Sequence, residues 1–213
     1  MKEITQKIYD ELFVRYPALT EVKTNILSAF ELIKESLAQS GTVFCCGNGG
    51  SASDSEHIVG ELLKSFKKHR KVDEKTAEGL KTFGAEGEFV LNNLEGSLPA
   101  VSLVSQTGVL TAFANDKAWE TAFAQQLYGL GRKGDCLISL STSGNSKNCV
   151  YASMAARAKG IKTIAFTGNG GGKLKEVCDV TINVPETATY KVQEAHLPIY
   201  HCICAMLEEE FFD

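Results

Sequence analysis

The stretch that most limits how this chain can fold is Val43-Phe-Cys-Cys-Gly47-Asn48-Gly49-Gly50-Ser51, continuing through His57 to Glu61. It begins as a short apolar run of branched and aromatic residues, the length of one buried strand. Gly47, Gly49 and Gly50 then allow a sharp turn and a close approach of backbone to a ligand. Ser51 is placed to cap the helix that follows, read here as residues 52–66. A glycine turn that opens a helix presents free backbone N–H groups and the positive end of the helix dipole, a seat for an anion. His57 and Glu61 are four residues apart and share one helix face. An imidazole and a carboxylate stacked near such a turn suggest a catalytic or metal-binding pair.

Other segments repeat the strand–turn–helix pattern. Strands are expected at residues 42–46, 100–104, 136–140, 162–166 and 180–184. Helices are expected at 107–114, 119–130, 147–158 and, last and longest, 189–210. Strands alternating with helices predict a mostly parallel sheet covered on both faces, with right-handed crossovers. Ligands bind such sheets beyond the carboxyl ends of the strands. The polar loops at 47–51, 105–107, 141–146 and 167–172 all fall at those ends.

Two segments do not belong to the repeat. Residues 1–40 read as two helices before the first strand. The first carries Ile8, Leu12, Phe13 and Tyr16 and ends at Pro17. The second, from about 19 to 39, carries Val22, Ile26, Phe30, Ile33 and Leu37 on one stripe. These helices are expected to pack on another subunit. Residues 64–97 form an insertion: a basic run at Lys67, Lys68, His69, Arg70 and Lys71, then a glycine-punctuated stretch with a short helix at 86–94. The run reads as a solvated loop, and the alternative is a lid or binding surface.

The 213 residues fit a single domain, and 44% hydrophobic with 23% charged residues is a globular composition. A net charge of −4 gives no general affinity for nucleic acid or anionic membranes. Seven cysteines without a CxxC pair, several inside expected strands, predict reduced thiols and a cytoplasmic setting. No apolar run approaches the ~20 residues that cross a bilayer.

Ser141-Thr142-Ser143-Gly144-Asn145-Ser146 offers four hydroxyls and a glycine turn at a helix start. Hydroxyls and backbone N–H groups suit a phosphate monoester, although a capped turn without ligand has the same composition. With a second glycine turn at another strand end, phosphate binding is the expectation. The loop lacks the ending of a Walker A motif, and Gly47-Asn-Gly49 is followed by Ala52 where a dinucleotide fingerprint needs its third glycine. The last helix adds Gln193, Glu194, His196 and His201, with Pro198 between them predicting a kink. Histidines on a long helix also serve packing. The cysteines lack the spacing of a structural zinc site.

Taken together, Cys46-Gly-Asn-Gly-Gly-Ser51 with His57-x-x-x-Glu61, Asn115-Asp116, Ser141-Thr-Ser-Gly-Asn-Ser146, Thr167-Gly168, Gly171-Gly172-Lys173 and Gln193-Glu-x-His196 resemble the sugar isomerase (SIS) domain family. Within it they resemble the phosphoheptose isomerases, over most of residues 20–210. The resemblance implies a flavodoxin-like α/β fold, with a five-stranded parallel sheet, as one domain over residues 1–213. It implies conversion of sedoheptulose 7-phosphate to D-glycero-D-manno-heptose 7-phosphate through an enediol. It implies substrate contacts from Asn48, Gly49, Gly50, Ser51, Glu61, Asn115, Asp116, Ser141, Thr142, Ser143, Ser146 and Gln193. Glu61 and His201 would be the acid–base pair, and His57, Glu61, Gln193 and His201 would hold one zinc ion per subunit. A homotetramer with sites between subunits is implied as well. The insertion, Tyr190 where the family often has aspartate, and Pro198 depart from the pattern. The alternatives are an isomerase of another phosphosugar and a non-catalytic SIS protein that binds a partner such as DnaA.

Overall fold

The computed structural model describes residues 1–212. Five parallel strands form one sheet: β1 (Val43–Cys46), β2 (Ala100–Ser102), β3 (Cys136–Leu140), β4 (Lys162–Thr167) and β5 (Val180–Asn183). Their order is β2-β1-β3-β4-β5, the flavodoxin-like arrangement expected from the resemblance. The central strands β1 and β3 are buried along their whole length, as a sheet covered on both faces requires.

Alternation along the strands divides the core. Val43, Cys45, Ile138, Leu140, Ile164 and Phe166 face one layer, while Phe44, Cys46, Leu137 and Ala165 face the other. The first layer is built by α1 (Glu3–Arg15), α2 (Lys23–Ala38), α3 (Gly50–Leu63) and the last helix. After α3 come α4 (Glu74–Lys81), α5 (Gly84–Asn93) and α6 (Thr107–Asp116). The second layer is covered by α7 (Ala122–Leu130) and α8 (Lys147–Ala158); a short α9 (Leu174–Val177) and the 23-residue α10 (Thr189–Phe211) complete the chain.

The N-terminal stripe is buried within the chain itself: Ile26, Phe30 and Ile33 are almost fully covered, and α1 lies along α10. A 3₁₀ turn, Pro17–Val22, starts the second helix where the sequence suggested regular helix from residue 19. Ile4 and Val14 on α1 remain exposed. Pro198 sits inside α10, as expected. All seven cysteines are free thiols. Among the described residues, no helix is long and apolar enough to cross a membrane.

The insertion departs from the expectation of a solvated basic loop. Arg70, in the middle of the basic run, is fully buried. The rest forms two short helices, α4 and α5, packed on each other, with Gly87 the one buried residue between them. Asp73 caps α4 by accepting from Thr76 N–H at 3.0 Å.

Candidate active site

Strand order reverses between β1 and β3, because β1 leads to β2 on one side and has β3 on the other. The crevice at their carboxyl ends is therefore lined by the two loops singled out in the sequence. Gly49 adopts φ 56° where the chain leaves β1 and enters α3. Ser51 is a buried residue within the first turn and makes no side-chain capping bond, so the expected serine cap is absent and Gly49 holds that position. The positive φ of Gly49 turns the chain into the helix, and its carbonyl accepts from Ala52 and Ser53 N–H at 3.0 and 3.3 Å.

The second loop is closed more tightly. Gly144 has φ 67°, and a Cβ there would lie 2.0 Å from Gly171 O, so the Ser/Thr loop and the glycine turn after β4 meet backbone to backbone. Asn145 reinforces the joint: its carbonyl accepts from Lys173 N–H at 3.0 Å, and its amide donates to Ser143 O at 2.9 Å. Ser141 and Ser146 hydroxyls are 2.9 Å apart. Between the loops lies a cavity of about 360 Å³ lined by Asn48, Gly49, Gly50, Ser51, Ser141, Thr142, Ser146 and Gln193. Gln193 reaches it from α10: a Cβ on Gly50 would lie 2.6 Å from its Nε2. Asn48 is held by a reciprocal pair of hydrogen bonds with Asn148, at 2.9 and 2.8 Å. The arrangement has hydroxyls, N–H groups and a helix start of the kind that suits a phosphate.

A second cluster lies farther along the same two helices. His57 is about 10 Å beyond Gly50 along α3, at ~1.5 Å per residue. His57 Nε2 is 3.1 Å from Glu61 Oε1 and 3.4 Å from His201 Nε2. Ligand atoms of these three residues all lie within 4.8 Å of one another. Glu61 Oε2 is buried without a hydrogen-bond partner among the described residues. Burial and the neighbouring His57 push the His201 imidazole down from its ordinary pKa, against the pull of Glu61. Thus α3 and α10 run side by side, with Gln193 at the cavity and His201 at His57 and Glu61.

Two further contacts fix this cluster. Tyr200 OH lies 3.1 Å from Asp54 Oδ1 and 3.0 Å from His57 Nδ1. Burial and the adjacent carboxylate raise the Tyr200 pKa, so the phenol keeps its proton. Burial also raises the Asp54 carboxyl, with Tyr200 opposing. Arg70 caps the end of α3: its guanidinium donates to Glu61 O at 2.8 Å and Leu62 O at 2.7 Å, carbonyls a helix end leaves without intrahelical donors, and Leu62 O also takes Leu98 N–H at 2.9 Å. Its Nε donates to Glu208 of α10 at 2.8 Å. Glu208 also accepts from the N–H groups of Phe66, Lys67 and Lys68. Burial alone would raise the Glu208 pKa, but these donors and Arg70 hold it below the ordinary value.

The remaining expected residues are placed differently. Asn115 and Asp116 end α6, exposed, with Asn115 donating to Asp116 at 2.7 Å, and neither lines the cavity. Ser143 is engaged with Asn145 N–H at 3.2 Å. His196 is fully buried beside Thr167 O, and burial lowers its pKa to about 4. Sequence reasoning missed Asp54, Arg70, Asn148, Tyr200 and Glu208. Of these, Asp54 alone carried a usable signal, three residues before His57 on the same helix face.

Comparison with known proteins agrees with this fold. The SIS domain family model matches residues 15–83 and 96–168, leaving out the stretch that holds α5. A phosphoheptose isomerase of Akkermansia muciniphila is 36% identical over 197 residues, covering 92% of this chain and 91% of the relative. The structure of phosphoheptose isomerase GmhA from Neisseria gonorrhoeae superposes with a TM-score of 0.72 at 30% identity, covering 97% of this chain and 99% of that one. A phosphoheptose isomerase structure from Francisella tularensis gives 0.74 at 27% identity, covering 98% and 100%. With a backbone cradle at the β1/β3 switch point and a His/Glu/His cluster on its two flanking helices, the chain belongs to the SIS-domain family and, within it, to the phosphoheptose isomerases.

Proposed function

We propose that this chain is an aldose–ketose isomerase that converts sedoheptulose 7-phosphate to D-glycero-D-manno-heptose 7-phosphate. The observation that carries the reading is the pairing of α3 with α10. It sets Glu61, His57 and His201 a few helical turns from a cradle, roomy enough for a phosphate and part of a sugar, that the same helices help to build.

In this reading the phosphate is held by the hydroxyls of Ser141, Thr142, Ser143 and Ser146 and by N–H groups at the start of α3. The sugar chain then runs along α3 toward Glu61, past Asn48, Gly49, Gly50, Ser51 and Gln193. Asn115 and Asp116 would close on the sugar from α6. Glu61 removes the proton from C1 of the ketose. His201 shuttles protons between the two oxygens, and a proton is returned to C2 through a cis-enediol. Binding energy from the distant phosphate orients the reacting end.

His57, Glu61 and His201, with Gln193 from the preceding turns of α10, would hold a divalent cation. Two imidazoles and a carboxylate are a donor set suited to zinc. The unpartnered Glu61 Oε2 and the three crowded ligand atoms fit that use. Such an ion would polarise the sugar carbonyl. Assembly as a homotetramer is proposed on the exposed apolar side chains of α1, Ile4 and Val14. Light scattering on the full chain and on an Ile4→Lys, Val14→Lys form tests it, and an unchanged mass in the double variant would remove this surface as the contact.

The activity test mixes the purified protein with sedoheptulose 7-phosphate and follows aldose formation. Glu61→Gln and His201→Ala are each expected to lower kcat by about 10²–10⁴-fold. Full activity in both variants would remove the assignment. Turnover of a different ketose phosphate alone would replace the substrate but keep the chemistry.

A further inference from the structure

We propose that Tyr200 and Asp54 form a relay that fixes His57 in its Nδ1–H tautomer and so reserves the His57 Nε2 lone pair for a cation. Neither residue touches the reacting atoms, so both are positioning residues. The argument is a count of protons. A phenol has one hydrogen to donate, and a carboxylate only accepts. Tyr200 OH faces an acceptor at each end of its reach, Asp54 Oδ1 at 3.1 Å and His57 Nδ1 at 3.0 Å. If the phenol donated to His57, Asp54 Oδ1 would face the phenol oxygen with no proton between them. Asp54 Oδ2 is already buried and unpartnered among the described residues, so that arrangement would leave the whole carboxylate without a donor. With the proton directed to Asp54, the Tyr200 oxygen accepts, and His57 Nδ1 must carry the hydrogen.

The consequence appears at the other side of the ring. Nε2 of His57 then has a lone pair aimed at Glu61 Oε1, 3.1 Å away, and at His201 Nε2, 3.4 Å away. Two acceptors, the His57 lone pair and Glu61 Oε1, face each other there, and a positive charge between them, a proton or a metal cation, satisfies both. Metal-bound histidines commonly hand their other N–H to a carboxylate or carbonyl. Here a tyrosine stands between the histidine and its carboxylate. The second half of this inference rests on the cation-binding reading of the cluster; the tautomer does not.

The test uses the full chain labelled with ¹⁵N histidine. In chelator-treated wild type, long-range ¹H–¹⁵N spectra are expected to show His57 with hydrogen on Nδ1. Tyr200→Phe and Asp54→Ala should move His57 toward the Nε2–H form, with the hydrogen donated to Glu61. Zn²⁺ competition against a chromophoric chelator should show affinity lowered by about 10–100-fold in Tyr200→Phe, with circular dichroism and the melting curve reporting an intact fold. An Nε2–H His57 in metal-free wild type overturns the relay. So does a Tyr200→Phe protein that keeps both the tautomer and the Zn²⁺ affinity within twofold. The expected tautomer in a wild type that binds no Zn²⁺ overturns the cation role instead, and the Glu61→Gln assay then judges the isomerase reading separately.

Discussion

The cradle and the side-chain cluster share two helices but are built on different principles. The cradle is shaped by backbone: glycine turns at the ends of β1 and β3, joined where Gly144 abuts Gly171, place its hydroxyls. Its parts are short, contiguous segments, each shaped by local conformational preference. The cluster is side chains from positions 57, 61 and 201, and nothing local brings them together. It depends on Arg70 and Glu208, which lock the end of α3 to α10, and on Tyr200 and Asp54, which set the angle of His57. A site made of backbone can be specified one loop at a time. A site made of side chains on two helices needs clamps elsewhere.

The sharpest way to break the cluster while sparing the cradle is to remove one half of the clamp. Arg70 and Glu208 are 0% and 2% exposed, so Arg70→Met leaves Glu208 buried without its cation and the Glu61 carbonyl of α3 without a donor, while Leu62 O keeps Leu98 N–H. The expected loss is about 3–5 kcal/mol in urea unfolding. The double change Arg70→Met with Glu208→Leu should recover part of it, because no charge is then stranded. An unchanged midpoint in the single variant would show that the clamp is not what joins the helices.

This contrast also explains what the sequence made legible. Gly47–Ser51 and Ser141–Ser146 announced themselves because turn chemistry is written in adjacent residues. The strands followed from short apolar runs, and β3 and α8 begin and end where periodicity placed them. Helix starts were less readable: α3 opens at Gly50 and keeps Ser51 inside, since the positive φ of Gly49 turns the chain into the helix without a hydroxyl cap. Arg70 looked like one more charge in a basic run, because its partner is 138 residues away. Tyr200 carries no sign of its role in the sequence for the same reason, since Asp54 and His57 are 146 and 143 residues away. Charge and aromatic character are visible in a sequence; whom they pair with is set by packing.

Next in size is the link between the two regions. His196 sits on α10 between Gln193 and His201, fully buried against Thr167 O. Burial lowers its pKa from 6.5 to about 4. The unfolded chain therefore binds a proton in that window that the native state does not, and stability falls as pH drops from about 6.5 toward 4. The expected share is about 3 kcal/mol at the lower end. His196→Leu should flatten the unfolding free energy over this window relative to wild type. A parallel decline in both proteins would assign the acid sensitivity to other groups.

The cradle can be probed at two glycines that differ in one respect. Gly49 has φ 56° and open space where a Cβ would go; Gly144 has φ 67° and the Gly171 carbonyl in the way. Gly49→Ala should therefore carry only the cost of a backbone at φ 56° and ψ −123°, which L-residues rarely adopt, about 1–3 kcal/mol. Gly144→Ala should lose more, because the two loops must also separate, and its KM should rise further as the phosphate seat opens. Equal effects on stability and KM would mean that the loop–loop contact does not shape the cradle.

The smallest effect is expected in the insertion beyond Arg70, which belongs to neither region. Helices α4 and α5 bury a single residue between them and leave Phe83 and Phe89 71% exposed. Asp73→Ala removes the cap on α4, a local loss of about 1 kcal/mol. The hairpin contributes little to the core, so the global urea midpoint should correspond to a change within about 0.5 kcal/mol. Hydrogen exchange should quicken across residues 74–93 while the amides of α3 and α10 keep their protection. If α3 exchanged faster too, the hairpin would be part of the clamp, and Arg70 would be its visible end and not the whole of it.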